Sequence, residues 1–486
     1  MLKPSMINNR PKQSAIIPPE LMQFVKYNTY SLLIKGYAGT GKTTLSLTIL
    51  RVLNIKSNFF YISTRISPKQ IFVYYPWLSK FIDGSKLSNS VENGYNLSSF
   101  EDARLDEPES LFERITNQLM DVKAPIIIID SWNGIASFMD KEAKLNNERV
   151  LQTWRERAGA KLIFINEDPR DTTLDSLVDG IVELKQILYD NIRIREILLS
   201  KLRGIRINRP SYIYTLNNTI FRSCAPFRST EFIININTKS KIVKKGQQIL
   251  GPLSTDTYIT TGYQKLDNEL GGGFPKGSIV LLETDSDVNK QITMAFLAKI
   301  MYSFIGTSNP ILFGPFEIFE PALVITYLKS YLQKDPREGL VKILWPANMA
   351  KNPFSEYIIP YQKYNSKRRV ESFQDQVFKV KEENPRKCLL NITGLNISKK
   401  VECFEKADEI EEILSFMRNN VDLSLFVTQC SANMKSNFYG EYDIHMRLRI
   451  VNGSLFLQLL STNSPLYEMI NDTSSGYPQI KLDPMV

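Results

Sequence analysis

The chain has 486 residues, with 60 lysines and arginines against 51 acids and a formal net charge of +9. That length exceeds one ordinary core and calls for two or three domains, while 43% hydrophobic and 23% charged residues are usual for a globular protein in water. The sequence has no unbroken apolar run of about 20 residues for a membrane helix. Its scattered cysteines (Cys224, Cys388, Cys403, Cys430) and single histidine, His445, argue against a disulfide framework, a zinc site or histidine-based catalysis.

The opening "MLKPSMINNRPKQSAIIPPE" lacks the apolar stretch of a secretory signal, so a cytoplasmic location and no membrane partner are expected. "SLLIK" then reads as a buried parallel strand and "TTLSLTILRVL" as a helix. The turn between them contains Gly36, Gly39, Thr40, Gly41, Lys42, Thr43 and Thr44, and fits the pattern GxxxxGK[ST]. Glycines let such a turn curl its N–H groups toward phosphate oxygens, and the helix N-terminus adds partial positive charge. Lys42 is expected to reach the β- and γ-phosphates of ATP, and the Thr43 hydroxyl to ligate Mg2+.

"SNFFYISTRIS" reads as a strand ending near Ser63, and "DEPESLFERITNQLM" as a helix with Pro108 in its first turn. The polar stretch over residues 84–107 reads as a surface loop. "APIIIIDSWNGI" is a central strand ending in Asp130, the acid expected to hold Mg2+ with Thr43. A helix around residues 145–157, the strand "KLIFINE" and the segment "LDSLVDGIVELKQ" follow. Strand and helix alternate, which makes the fold class α/β with a mostly parallel sheet.

The order of GTGKTT, "IIIIDS", "LVDGIVELKQ" and "LSKLRGIRINRPSYIYTL" resembles the RecA/KaiC-like P-loop ATPases. "YISTRISPKQIFVYYPWL" and "LFERITNQL" look more specifically like the archaeal gas-vesicle regulator GvpD family. The resemblance implies that Lys201 and Arg203, in "KLRG", reach ATP bound by a neighbouring subunit of a homo-oligomer. On the residues alone, this basic segment is also readable as a solvated edge ribbon or a partner-binding surface. Relatives that hydrolyse ATP well carry paired acids after the second strand, where this chain has Thr64, Arg65 and Ile66. Arg65 cannot be a base but can pair with a phosphate. Glu167 ends another strand and is a candidate substitute for the missing acid. Tight ATP binding with slow hydrolysis is therefore expected.

A second frame follows. "TGYQKLDNELGGGFPKGSIVLL" resembles the entry to another KaiC-like domain, but "ETDSDVNKQIT" stands in place of the phosphate loop. Thr284, Asp287 and Asn289 occupy glycine positions, Gln291 replaces the metal-binding hydroxyl, and only Lys290 remains. "KCLLNITGLNI" offers Asn391, Ile392 or Thr393 where the first copy has Asp130. The segment over residues 363–387 reads as a solvated helix.

The expected architecture is two RecA-like P-loop domains, mostly parallel sheets with helices on both faces, the second degenerate. Residues 1–224 form the ATP-binding domain, 225–255 a basic linker, 256–470 the degenerate domain and 471–486 a loose tail. The resemblance implies an Mg·ATP-dependent switch acting on a regulatory protein partner. The rival readings are a DNA-dependent ATPase, whose basic loops hold nucleic acid, and a scaffold with structural ATP. The sequence shows no separate DNA-reading motif.

Overall fold

The computed structural model describes residues 16–82, 98–104, 107–119, 122–137, 139, 150, 153–156, 158–189, 192–227, 255–314, 319–332, 339–346, 355–361, 366–395, 407–429, 442–461, 464–472 and 479–486. They fall into two compact units, one from Lys12–Ala225 with Met485–Val486, the other from Pro226–Pro484.

In the first unit the elements run α1 (Pro19–Val25), β1 (Tyr30–Gly36), α2 (Lys42–Val52), β2 (Phe59–Ser63), α3 (Pro68–Tyr74), α4 (Pro76–Phe81) and β3 (Ser98–Asp102). Then come α5 (Pro108–Leu119), β4 (Ile126–Asp130), α6 (Trp132–Ala136), β5 (Lys161–Asn166), β6 (Gly180–Tyr189), β7 (Ile192–Leu202), β8 (Ser211–Thr215) and β9 (Arg222–Ser223). They build a nine-stranded sheet in the order β3-β2-β4-β5-β1-β6-β7-β8-β9. The first six strands in that order are parallel and the last three antiparallel.

Every residue of β1 is buried because both faces of the sheet are covered. Leu32 and Ile34 pack with Leu45 and Ile49 of α2 on one face, whereas Leu33 packs with Leu111 and Ile115 of α5 on the other. That is the period-two alternation of a strand clothed on both sides. All parallel strands therefore end at one rim, where Gly36, Ser63, Asp130 and Asn166 lie.

The second unit opens with β10 (Tyr258–Ile259), α7 (Gln264–Glu269) and β11 (Phe274–Pro275). Asp267, in the LD pair of the entry motif, accepts from Thr260 Oγ1 at 2.6 Å and from the Thr261 N–H at 2.7 Å, so its role is to fix this turn. Next come β12 (Ser278–Thr284), α8 (Lys290–Gly306), β13 (Ile311–Phe313), α9 (Pro321–Leu332), β14 (Val341–Pro346) and β15 (Ile358–Tyr361). The rest are α10 (Ser366–Glu383), β16 (Leu390–Leu395), α11 (Ala407–Asn420), β17 (Leu423–Gln429), β18 (Ile444–Val451), β19 (Ser454–Leu459), β20 (Tyr467–Asp472) and β21 (Gln479–Pro484).

Their ten-stranded sheet has the order β15-β14-β13-β16-β17-β12-β18-β19-β20-β21. It repeats the first sheet strand for strand, with β15 added at one edge. Both units are thus α/β with RecA-like mixed sheets, as the sequence pattern implies. Asn452 and Gly453, at φ 44° and 67°, make the hairpin turn expected of "VNGS" between β18 and β19.

Several expectations change. The polar stretch over residues 84–107 contains a strand, β3, hydrogen-bonded in parallel to β2; residues 83–97 and 105–106 lie outside the described set. The helix read as solvated, α10, buries Val370, Phe373, Val377 and Val380 against the second sheet. These residues recur at three- and four-residue intervals, which is one face of a helix. The basic ribbon is not an edge, because β7 lies between β6 and β8 and hydrogen-bonds to both.

The expected loose tail contains strand β21, paired with β20 and burying Ile480 and Leu482. The alternation "QIKLDP" was too short to separate from a loop. Most of the expected linker, residues 228–254, and part of the expected helix at 145–157 lie outside the described residues.

Candidate functional site

The turn between β1 and α2 is shaped by its glycines. Gly41 caps α2 at φ 88°, a left-handed conformation, and an added Cβ would meet Leu216 Cδ1 at 2.7 Å. A Cβ on Gly36 would lie 2.6 Å from the Leu184 carbonyl oxygen, so the chain needs glycine there to pass β6. The loop is braced from outside: Tyr214 Oη donates to the Thr40 carbonyl at 2.5 Å, and Gln186 Nε2 to the Gly39 carbonyl at 2.8 Å. Thr40 itself donates to the Tyr37 carbonyl at 2.8 Å.

Lys42, the first residue of α2, is buried. Its ammonium donates to the carbonyls of Gly36 at 2.7 Å and Tyr37 at 2.9 Å, folding back over the hollow of the loop. Burial lowers its pKa from the ordinary lysine range; Glu167 and then Asp130 oppose that shift, and Arg65 adds to it.

Thr43 and Asp130 are 87 residues apart and meet directly, Thr43 Oγ1 donating to Asp130 Oδ2 at 2.6 Å. Tyr61 Oη donates to the same oxygen at 2.5 Å. Burial, then the charge of Asp130, holds the Tyr61 phenol well above its usual range, so it stays a donor. Thr44 shares a 3.1 Å hydrogen bond with Tyr75 Oη.

The donor set fits a nucleotide with a divalent cation. A hydroxyl and a carboxylate, both hard oxygen ligands, converge beside a glycine turn with a buried lysine at a helix N-terminus. The N-cap of α2 has no side chain hydrogen-bonded to its free N–H groups.

The remaining expected residues lie elsewhere. Arg65 forms an ion pair with Glu167. Lys201 Nζ donates to the Asp175 carbonyl at 2.9 Å, and Arg203 Nη1 to Asp179 Oδ1 at 2.8 Å. Asp179 also holds Arg155 at 2.9 Å and the Ser31 N–H and hydroxyl at 3.1 and 3.0 Å. Ser31 stands at the start of β1, five residues before Gly36, or about 17 Å along a strand. Arg203 therefore lies at the opposite rim from the phosphate loop of its own unit, and Lys201 stands level with Leu33 in the middle of β1.

The family model for the GvpD gas vesicle protein P-loop domain matches residues 21–200. Residues 21–200 thus resemble a GvpD-type P-loop domain. Protein GvpD2 of Halobacterium salinarum is 21% identical over 478 residues, which cover 94% of this chain and 93% of its own. Protein GvpD1 of the same organism is 26% identical, over 65% of this chain and 59% of its own length. The circadian clock oscillator protein KaiC of Synechococcus elongatus is 24% identical over 54% of the chain; the match spans 50% of that protein. The chain resembles KaiC-like and GvpD P-loop proteins, as its motifs imply.

In the second unit the matching site is dismantled. Asn289 caps α8, its side-chain oxygen accepting from the Ile292 N–H at 3.0 Å. Asp285 is held by Arg447 Nε at 2.7 Å, and Lys290 is exposed. Strand register corrects the place of the lost acid. Asp130 pairs with Ile165, the fifth residue of β5; its counterpart pairs with Val427, the fifth residue of β17, and is Gly394. Asn391 and Thr393 instead hydrogen-bond each other, buried in the sheet, at 2.9 Å.

Sequence reasoning missed Tyr61, Tyr75, Gln186 and Tyr214 as braces of the site. The one signal for Tyr61 was a hydroxyl within the apolar run "FFYIS".

Proposed function

We propose that the chain is an Mg·ATP-binding regulatory protein whose first unit binds the nucleotide and whose second unit keeps the frame without the chemistry. The observation that carries this reading is the meeting of Thr43 with Asp130 at 2.6 Å beside the buried Lys42. In the proposed complex, Gly36, Gly39, Thr40 and Gly41 cradle the phosphates, Lys42 pairs with the β- and γ-oxygens, and Thr43 and Asp130 hold Mg2+. Thr44 keeps the loop in place through Tyr75.

Lys201 and Arg203 serve the ATP of another copy of the chain, which the distance of Arg203 from its own phosphate loop supports. A cation supplied in this way ties nucleotide state to assembly. Hydrolysis is slow, and assembly alters affinity for a protein partner. The GvpD and KaiC likenesses support the regulatory part of the reading.

The test is ATP binding, turnover and oligomeric mass of wild type and Lys42→Ala, with and without DNA. The expected result is Lys42-dependent binding, turnover below about 1 s−1 and ATP-dependent assembly, all indifferent to DNA. Steep, salt-sensitive stimulation by DNA would replace this reading with that of a DNA-dependent ATPase.

A further inference from the structure

Arg65 and Glu167 come from strands on either side of β4. Arg65 lies two residues past the end of β2, and Glu167 directly follows β5; the sheet order is β2-β4-β5. Their ion pair therefore spans the rim beside Asp130, the last residue of β4. The two partners differ in freedom. The Arg65 side chain is 59% exposed and that of Glu167 24%.

The backbone at each partner is fixed. The Thr64 N–H donates to the Asp130 carbonyl at 2.8 Å, and the Thr64 hydroxyl accepts from the Ser131 N–H at 2.9 Å. The Glu167 N–H donates to Asn133 Oδ1 at 2.9 Å. So the arginine is a long, exposed arm on an anchored base, and the glutamate is a shorter group held in place. Thr64, next to Arg65, is bonded to Asp130, and Asp130 is bonded to Thr43 of the loop, so the pair stands beside the hydroxyl–carboxylate couple expected to hold the metal and the γ-phosphate.

We propose that Arg65 and Glu167 form a nucleotide-operated latch. With ATP in the phosphate loop, Arg65 leaves Glu167 for the γ-phosphate, and the freed Glu167 carboxylate positions the attacking water. This rests on the Mg·ATP reading of the site. In the hydrolytic step the water oxygen bonds to the γ-phosphorus. The bond from that phosphorus to the bridging oxygen breaks, its electron pair staying on ADP. The water proton passes to Glu167 and then to the released phosphate.

The pair explains how a chain without acids after β2 keeps a carboxylate for this task. It also makes the resting state inactive, because a carboxylate paired with guanidinium is a poor proton acceptor. An exchange of one oxyanion for another costs Arg65 little, since both accept its fork of N–H groups.

The experiment measures equilibrium affinity of the full chain for Mg·ATP and Mg·ADP, together with single-turnover hydrolysis. Arg65→Ala is expected to weaken ATP about tenfold or more and to leave ADP within about twofold, as for loss of one charge-assisted contact to the γ-phosphate. Glu167→Gln keeps size and hydrogen bonding but releases Arg65. It is expected to tighten ATP relative to ADP while slowing the single turnover about 100-fold or more.

Equal losses for ATP and ADP in Arg65→Ala, or wild-type hydrolysis in Glu167→Gln, would overturn the latch and leave the nucleotide site standing. Wild-type protein that binds no ATP, or binds it without needing Lys42, overturns the site reading and the latch together. Wild-type protein that binds ATP but never hydrolyses it overturns the role given to Glu167.

Discussion

Tyr61 and Thr43 both donate to one oxygen, Asp130 Oδ2. A carboxylate near the edge of the core has lost part of its hydration, and these two hydroxyls replace it. Tyr61 is fully buried, so its phenol has no solvent to turn to. Tyr61→Phe should cost the first unit about 1–2 kcal/mol, the loss of a hydrogen bond to a charged acceptor that keeps a second donor. Urea denaturation would measure it, and a loss below about 0.3 kcal/mol would mean that the bond adds nothing net. The phosphate-loop residues and Asp130 were legible because each belongs to a short pattern with a fixed chemical role. Tyr61 was not, because alternation assigns it a face of β2 but says nothing about which strand lies beside β2. The Arg65–Glu167 pair was hidden for the same reason: it depends on β2 and β5 flanking β4, and strand order in a parallel sheet is set by crossover connections.

At the scale of elements, the second sheet shows what short strands conceal. β21 hydrogen-bonds along its length to β20 and places Ile480 and Leu482 in the core with Met469 and Tyr467. Removing residues 473–486 would uncover β20 as a bare edge and delete two core side chains. Each such deletion costs about 2–5 kcal/mol, so together they are comparable to the whole stability of a domain. The truncated chain is therefore expected to lose cooperative unfolding of its second unit and to aggregate through the open edge, which calorimetry and light scattering would detect. A truncated chain with an unchanged second transition would show that β21 is dispensable. The long buried strands β1, β4, β5 and β12 were readable from their apolar runs. By contrast, β3 sits in a polar stretch and β21 alternates with charges, so their pairing comes from neighbours in space. The face of α10 that packs was visible as apolar spacing within a strongly charged segment, and its charges hid it.

Across the whole molecule, the same strand order occurs twice and the glycine turn with its hydroxyl–carboxylate pair once. In the first unit α2 begins at a left-handed glycine and leaves its N-terminal N–H groups free of any capping side chain. In the second, the Asn289 side chain occupies that place and accepts from the Ile292 N–H. An anion arriving there would have to displace a hydrogen bond the helix already has, with the carboxylate of Asp287 nearby in the same turn. The pair expected to hold the metal differs as well, because Gln291 stands where the first unit has its hydroxyl and Gly394 where it has its acid. Restoring any one residue would leave the other defects in place. Titration of the full chain with Mg·ATP should therefore give about one site per chain rather than two, since nucleotide binding needs both the N–H cradle and the hydroxyl–carboxylate pair. Lys42→Ala should remove that site. Lys290→Ala, which alters the one loop lysine the second copy retains, should change neither stoichiometry nor affinity. A second site that disappears with Lys290→Ala would show that the second unit binds nucleotide through a geometry its loop does not share with the first.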